Sequence, residues 1–234
     1  MKRSFTPAQI QQIRRRHQGY QMLLLVISVI LLTQPLAQIW PWLTGLESIA
    51  LALVMILFLV RYSPLHSRKH IIYSLAWLAI GIELIWMGTL AWMPSMARHM
   101  AIPHLLIWTL FIGTFLLRKI RALMLEPFVT PAVVMGAAAG YLLIGYLGGF
   151  LLHSLLLLHP GGFNLSMAAE AGTLIARFPD MVVGSFGALT TVGNSLGREG
   201  QLLVPTACLL ITVAGQLYVA VLIALILGRF HQRG

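Results

Sequence analysis

Six stretches of this chain are nearly free of charge and long enough to cross a bilayer: residues 20–39, 44–62, 71–93, 101–117, 131–158 and 202–228. A hydrocarbon core about 30 Å thick takes about 20 apolar residues of α-helix. The pattern therefore predicts an all-α membrane protein with six transmembrane helices. The fifth run is long enough to tilt or to project from the bilayer. Pro41, Pro64, Pro94, Pro127 and Pro131 punctuate the connections, where a missing N–H and a fixed φ are tolerated. Three segments follow from this layout: a basic N-terminal stretch (1–19), four peripheral helices (20–130), and a last pair of helices with the loop between them (131–234).

Charge sets the orientation. Segments assigned to the cytoplasm carry Lys2, Arg3, Arg14, Arg15, Arg16, Arg61, Arg68, Lys69, Arg118, Lys119, Arg121, Arg229 and Arg233, and those assigned outside carry only Arg98, Arg177 and Arg198. The thirteen-to-three split alternates at every crossing, as the positive-inside rule requires. Both termini are expected in the cytoplasm, and the segment from about 159 to 201 is expected outside. Residues 1–19 read as a solvated positive flank, with a basic amphipathic helix on the inner leaflet as the alternative.

Composition agrees with this picture. Hydrophobic residues make up 59% of the chain and charged residues 9%, against about 25% charged in a soluble domain; mean hydropathy is +0.86. The net charge of +10 does not point to nucleic acid, because the basic residues lie in short clusters between apolar runs. The partner is membrane lipid. Cys208, the single cysteine, lies within an apolar run, which excludes an intrachain disulfide and argues against a cysteine metal site. The first apolar run exceeds the roughly 7–15 residues of a signal-peptide core, so it reads as a retained helix.

The outward segment carries the most informative text, Ser185-Phe186-Gly187-Ala188-Leu189-Thr190-Thr191-Val192-Gly193-Asn194-Ser195. It resembles the pore helix and selectivity filter of the potassium-channel superfamily, Ser-Phe-x-Thr-Leu-Thr-Thr-Val-Gly-Tyr-Gly-Asp. Asn194, Ser195 and Leu196 stand where that family has Tyr, Gly and Asp, and Ala188 replaces a frequent Thr. Gly140-Tyr141-Leu142-Leu143-Ile144-Gly145, Pro160-Gly161-Gly162-Phe163 and Gly215-Gln216-Leu217-Tyr218-Val219-Ala220 are similar to the outer pore helix, turret and inner pore helix of bacterial six-helix channel homologues. The resemblance covers roughly residues 140–228.

It implies a homotetramer in the cell inner (plasma) membrane, with a re-entrant pore helix over about 179–190. Four copies of the filter would offer rings of backbone carbonyls that replace an ion's hydration shell. Thr190, Thr191, Val192 and Gly193 are the expected filter, Asn194 and Ser195 its altered outer mouth, and Gly215 a candidate gating hinge or a site of close packing. The permeant ion is then potassium. The altered outer half is expected to be wider, hydrated or collapsed, and a wider mouth would weaken discrimination between potassium and sodium. No cofactor or bound metal is implied beyond the permeant ion.

The other helices add little chemistry. The fourth run has no Arg or Lys from Ile102 to Leu117, so the repeated charges of a voltage sensor are missing. Arg118, Lys119 and Arg121 read as snorkelling flank charges. Glu83 falls mid-span, where a carboxylate is a functional candidate that pairs with a histidine or stays protonated. Glu47 reads as interfacial, His104 and His153 as isolated packing residues, and Trp40, Trp42, Trp86 and Trp92 as aromatic-belt residues. Gly136-Ala137-Ala138-Ala139-Gly140 fits small-residue helix packing. An intramembrane serine protease built on Ser185 lacks a histidine base in the last span, which has none until His231 at its cytoplasmic end, and the chain is read as no enzyme. A partner-dependent or non-conducting subunit, a heteromer with another channel subunit, and a small-solute transporter remain as alternatives.

Overall fold

The computed structural model describes residues 7–61, 69–124, 126, 130–164, 177–193 and 195–231. Among these are seven α-helices: α1 (Pro7–Ile39), α2 (Trp42–Arg61), α3 (Lys69–Trp92), α4 (Pro94–Met124), α5 (Pro131–Leu158), α6 (Phe178–Leu189) and α7 (Leu203–His231). All but α6 are long and apolar enough to cross a membrane. The apolar runs thus become helices, as their length and composition require once backbone groups must be satisfied without water.

Helix α5 is the hub, packing against α1, α4, α6 and α7, while α1–α2, α2–α3 and α3–α4 pack in sequence. One buried apolar cluster runs from Tyr20 and Leu23 of α1 through Trp108 of α4 and Tyr146 of α5 to Ile211 of α7. The peripheral helices and the last two spans therefore share a core. Small residues on α5 let this happen. The Gly136 backbone receives the Tyr20 ring, and Gly140 receives the Tyr218 hydroxyl end, which donates to the Ala137 carbonyl at 2.7 Å. Thr130 caps α5 by accepting from Val133 N, with Pro131 in the first turn, the arrangement that satisfies orphan N–H groups.

The structure corrects several readings. The described part of the basic N-terminal stretch is helical and continuous with the first span. Arg16 Nη1 lies 3.0 Å from Glu126 Oε1, Tyr20 OH donates to the same oxygen at 3.2 Å, and His17 Nε2 is 3.3 Å from Thr130 Oγ1. The inner end of α1 is thereby tied to the connection between α4 and α5. Lys119 does not snorkel: it is buried, and its Nζ has no hydrogen-bond partner among the described residues. Glu47 is buried rather than interfacial, accepting from Thr33 Oγ1 at 2.6 Å and Gln34 Nε2 at 2.9 Å. Trp86 is buried against His104, whereas Trp40, Trp42 and Trp92 are exposed.

Candidate functional site

Helix α6 has twelve residues, about 18 Å of helix, too short to cross a bilayer. Asp180 in its first turn favours the positive end of the helix dipole. It accepts from Gln38 Nε2 of α1 at 2.5 Å. The helix lies in a glycine seam on α5. Gly145 faces the Phe186 ring, Gly148 faces Ser185, and Gly149 faces Val182. A Cβ on Gly149 would stand 2.7 Å from Val182 Cγ2 and 3.0 Å from Val182 Cα, so only glycine permits this approach. Ser185 Oγ is buried and donates to the Gly145 carbonyl at 2.7 Å.

An α-helix leaves its last four carbonyls without intrahelical partners. Here each of the four finds one. The Phe186 carbonyl accepts from Thr190 N at 2.9 Å and Thr190 Oγ1 at 2.7 Å. The Gly187 carbonyl accepts from Gly193 N at 3.0 Å. The Ala188 carbonyl accepts from Thr191 N at 3.1 Å and from Thr212 Oγ1 of α7 at 2.7 Å. The Leu189 carbonyl accepts from Tyr141 OH of α5 at 3.0 Å. The end of α6 is held from both flanking helices, and Gly215 of α7 packs directly beneath Leu189.

The chain that leaves this anchored end is Thr190-Thr191-Val192-Gly193. All four residues are exposed in the single subunit, Val192 to 84%. Thr191 has φ 61° and Gly193 φ 90°. A β-branched residue in the left-handed region is a genuine outlier, costing about 1–3 kcal/mol and persisting only where its surroundings enforce it. The hydrogen bonds on either side, Thr191 N to Ala188 and Gly193 N to Gly187, are that enforcement.

Ser195 is exposed, and Asn194 lies outside the described residues. Leu196 then returns to pack its side chain against Gly184 of α6, while its carbonyl accepts from Asn164 N at 2.8 Å. Phe163 and Gly197 form an antiparallel bridge, and Arg198 N donates to the Gly162 carbonyl at 3.0 Å. The segment entering α7 is clipped to the end of α5.

The four residues Thr190 to Gly193 thus stand together at the end of α6, and Gly215 sits behind that end rather than beside the exposed backbone. Sequence reasoning missed Tyr141 and Thr212, which hold the helix end, and the bracing role of Leu196. The tyrosine and threonine offered only a polar atom inside an apolar run as a signal. Its reading of His104 as isolated is corrected: His104 Nε2 lies 2.5 Å from Glu83 Oε2, twenty-one residues away in sequence. His153 packs its ring against Phe178.

No protein-family model matches the chain, and comparison with curated proteins and with solved structures returns no match.

Proposed function

We propose that this chain is the subunit of a homotetrameric channel that passes monovalent cations, chiefly potassium and with some sodium, down their gradient across the cell inner membrane. Both termini lie in the cytoplasm and the α5–α7 connection faces outward, on the strength of the charge split between loops. Helix α6 is then a re-entrant pore helix, and Thr190, Thr191, Val192 and Gly193 line the narrow path. Asn194 and Ser195 form an outer mouth that holds ions less tightly.

One observation carries the reading: an exposed Thr191-Val192-Gly193 turn, with Thr191 and Gly193 at positive φ, at the end of a short apolar helix anchored on both sides. Irregular backbone at membrane depth is tolerated where it lines a water-filled cavity or is buried in protein. Four such turns around an axis would supply the carbonyl rings of a cation filter.

Helix α7 adds support. Only 17% of its most apolar stretch is buried, against 56% for α5, and Gln216, in mid-span, is exposed. A carboxamide facing lipid tails is costly, whereas facing a neighbouring subunit or a hydrated cavity it is not.

A second reading, a subunit that needs a partner with a complete filter, is favoured by Leu196. The position that holds an outer-mouth carboxylate in the resembled family is here an apolar strut against Gly184.

The test is ion efflux from liposomes containing the purified protein. The wild type is expected to release potassium, and Gly193→Ala to release none, because an L-residue cannot hold φ near 90° without strain. Equal efflux from both would overturn the filter assignment.

A further inference from the structure

Within the bundle, away from the α6 turn, lies a polar cluster that the proposed conduction path does not use. Glu83 of α3 is 3% exposed and His104 of α4 is 7% exposed. Glu83 Oε2 accepts from Trp108 Nε1 at 2.7 Å and faces His104 Nε2 at 2.5 Å. The His104 ring is stacked on Trp86, with centroids 5.1 Å apart and planes 9° from parallel.

An indole N–H only donates, so Glu83 Oε2 accepts from Trp108 while facing the imidazole nitrogen, and the pair can share a proton. No third His, Cys, Asp or Glu joins the pair among the described residues to make a metal site. The ligand that fits is a proton. Its uptake converts a carboxylate and a neutral imidazole into a carboxylate and an imidazolium, removing a net buried charge of −1.

The cluster has a physical route to α6. Trp108 stacks on Phe150 of α5 at 5.7 Å and 18°. Phe150 packs on Phe178, the first residue of α6, at 4.6 Å. Other titratable groups border this path. Glu47 of α2 is held by Thr33 and Gln34 of α1. Tyr146 of α5 lies within electrostatic reach of both Glu47 and Glu83. His153 of α5 touches Phe178, and Asp180 of α6 is bonded to Gln38. Gly45 of α2 brings uncharged backbone against Glu83 Oε1. His99, at the start of the α4 span, is exposed five residues before His104, about 7.5 Å along the helix.

We infer that Glu83 and His104 form a proton-binding site reached from the α3–α4 end of the bundle, and that its occupancy fixes α6 through Trp108, Phe150 and Phe178. With the proton bound, the pair holds Trp108 against Phe150 and α6 stays in the anchored position. With the proton lost, both hydrogen bonds can still form, but a net charge of −1 is left buried without a counter-charge, and the packing around Trp108 loosens. The effect on current rests on the channel reading above; proton binding and the response of α6 do not.

The experiment therefore has two readouts on the full chain in liposomes: hydrogen exchange of residues 178–189, corrected for intrinsic rate, and potassium efflux, each at outer pH 5.5 and 8. Efflux is expected to fall by at least about fivefold on raising the pH, the lower end of ordinary coupling between sites, and protection of α6 to fall with it. His104→Gln is expected to flatten both responses. Trp108→Phe keeps the ring stack but removes the donor to Glu83, and is expected to shift the pH midpoint. Phe150→Leu is expected to leave the ¹⁵N imidazole titration of His104 intact while α6 no longer responds. Protection of α6 that is independent of pH, or a His104 that does not titrate between these limits, overturns the inference even if currents flow. Absence of efflux at both pH values, with α6 protection still following His104, defeats the channel reading and leaves the proton site standing.

Discussion

Glycine is used in two different ways around α6, and the difference is testable. At Gly193 an added Cβ meets nothing within 4 Å, yet φ is 90°, so the constraint there is backbone angle alone. At Gly149 φ is ordinary, and the constraint is space against Val182. Overpacking a tight core costs about 1–3 kcal/mol. Gly149→Ala is therefore expected to lower the thermal unfolding midpoint of the purified protein by several degrees, through crowding rather than backbone angle. Scanning calorimetry in detergent checks this, and equal midpoints for Gly149→Ala and wild type would contradict the packing. The turn from Thr190 to Gly193 could be singled out at this scale because its four residues are contiguous in sequence. For the Glu83–His104 pair the sequence offered a mid-span carboxylate and the option of a histidine partner, but not which one: His104 sits on the next helix, and nothing in the spacing says which face of α4 it occupies.

At the scale of elements, the six long helices follow from apolar runs alone, and α6 was placed within one residue of its observed ends. The boundaries that moved did so for local reasons. Helix α4 begins at Pro94 rather than near residue 101 and continues through Pro103, and α1 extends back to Pro7 because Arg16, His17 and Tyr20 find partners on the α4–α5 connection. Polar contacts between helices carry no periodic signal, so hydropathy could not locate these ends. The connection from α6 to α7 is where the chain departs most from the family it resembles. Leu196 braces α6 by apolar contact with Gly184, where the resembled filter text has an aspartate. Replacing the three residues together (Asn194→Tyr, Ser195→Gly, Leu196→Asp) is expected to raise the potassium-to-sodium permeability ratio by about tenfold or more, equivalent to about 1.4 kcal/mol of discrimination. Bi-ionic reversal potentials measure it, and an unchanged ratio would count against placing these residues at the outer mouth.

At the scale of the whole molecule, α5 joins everything: the apolar core is continuous from α1 to α7, and α6 is anchored by residues of both α5 and α7. The chain by itself nonetheless leaves Thr190 to Gly193 and the mid-span Gln216 exposed, a surface that the proposed fourfold assembly would cover or hydrate. The measurement that bears most directly on the central claim is recording from purified protein in a planar bilayer under a potassium chloride gradient. The account predicts unitary currents reversing close to the potassium equilibrium potential, and a reversal moved toward zero when sodium replaces potassium on the dilute side at equal concentration to the potassium opposite. Reversal at the chloride equilibrium potential, or the same currents from Gly193→Ala, would contradict it.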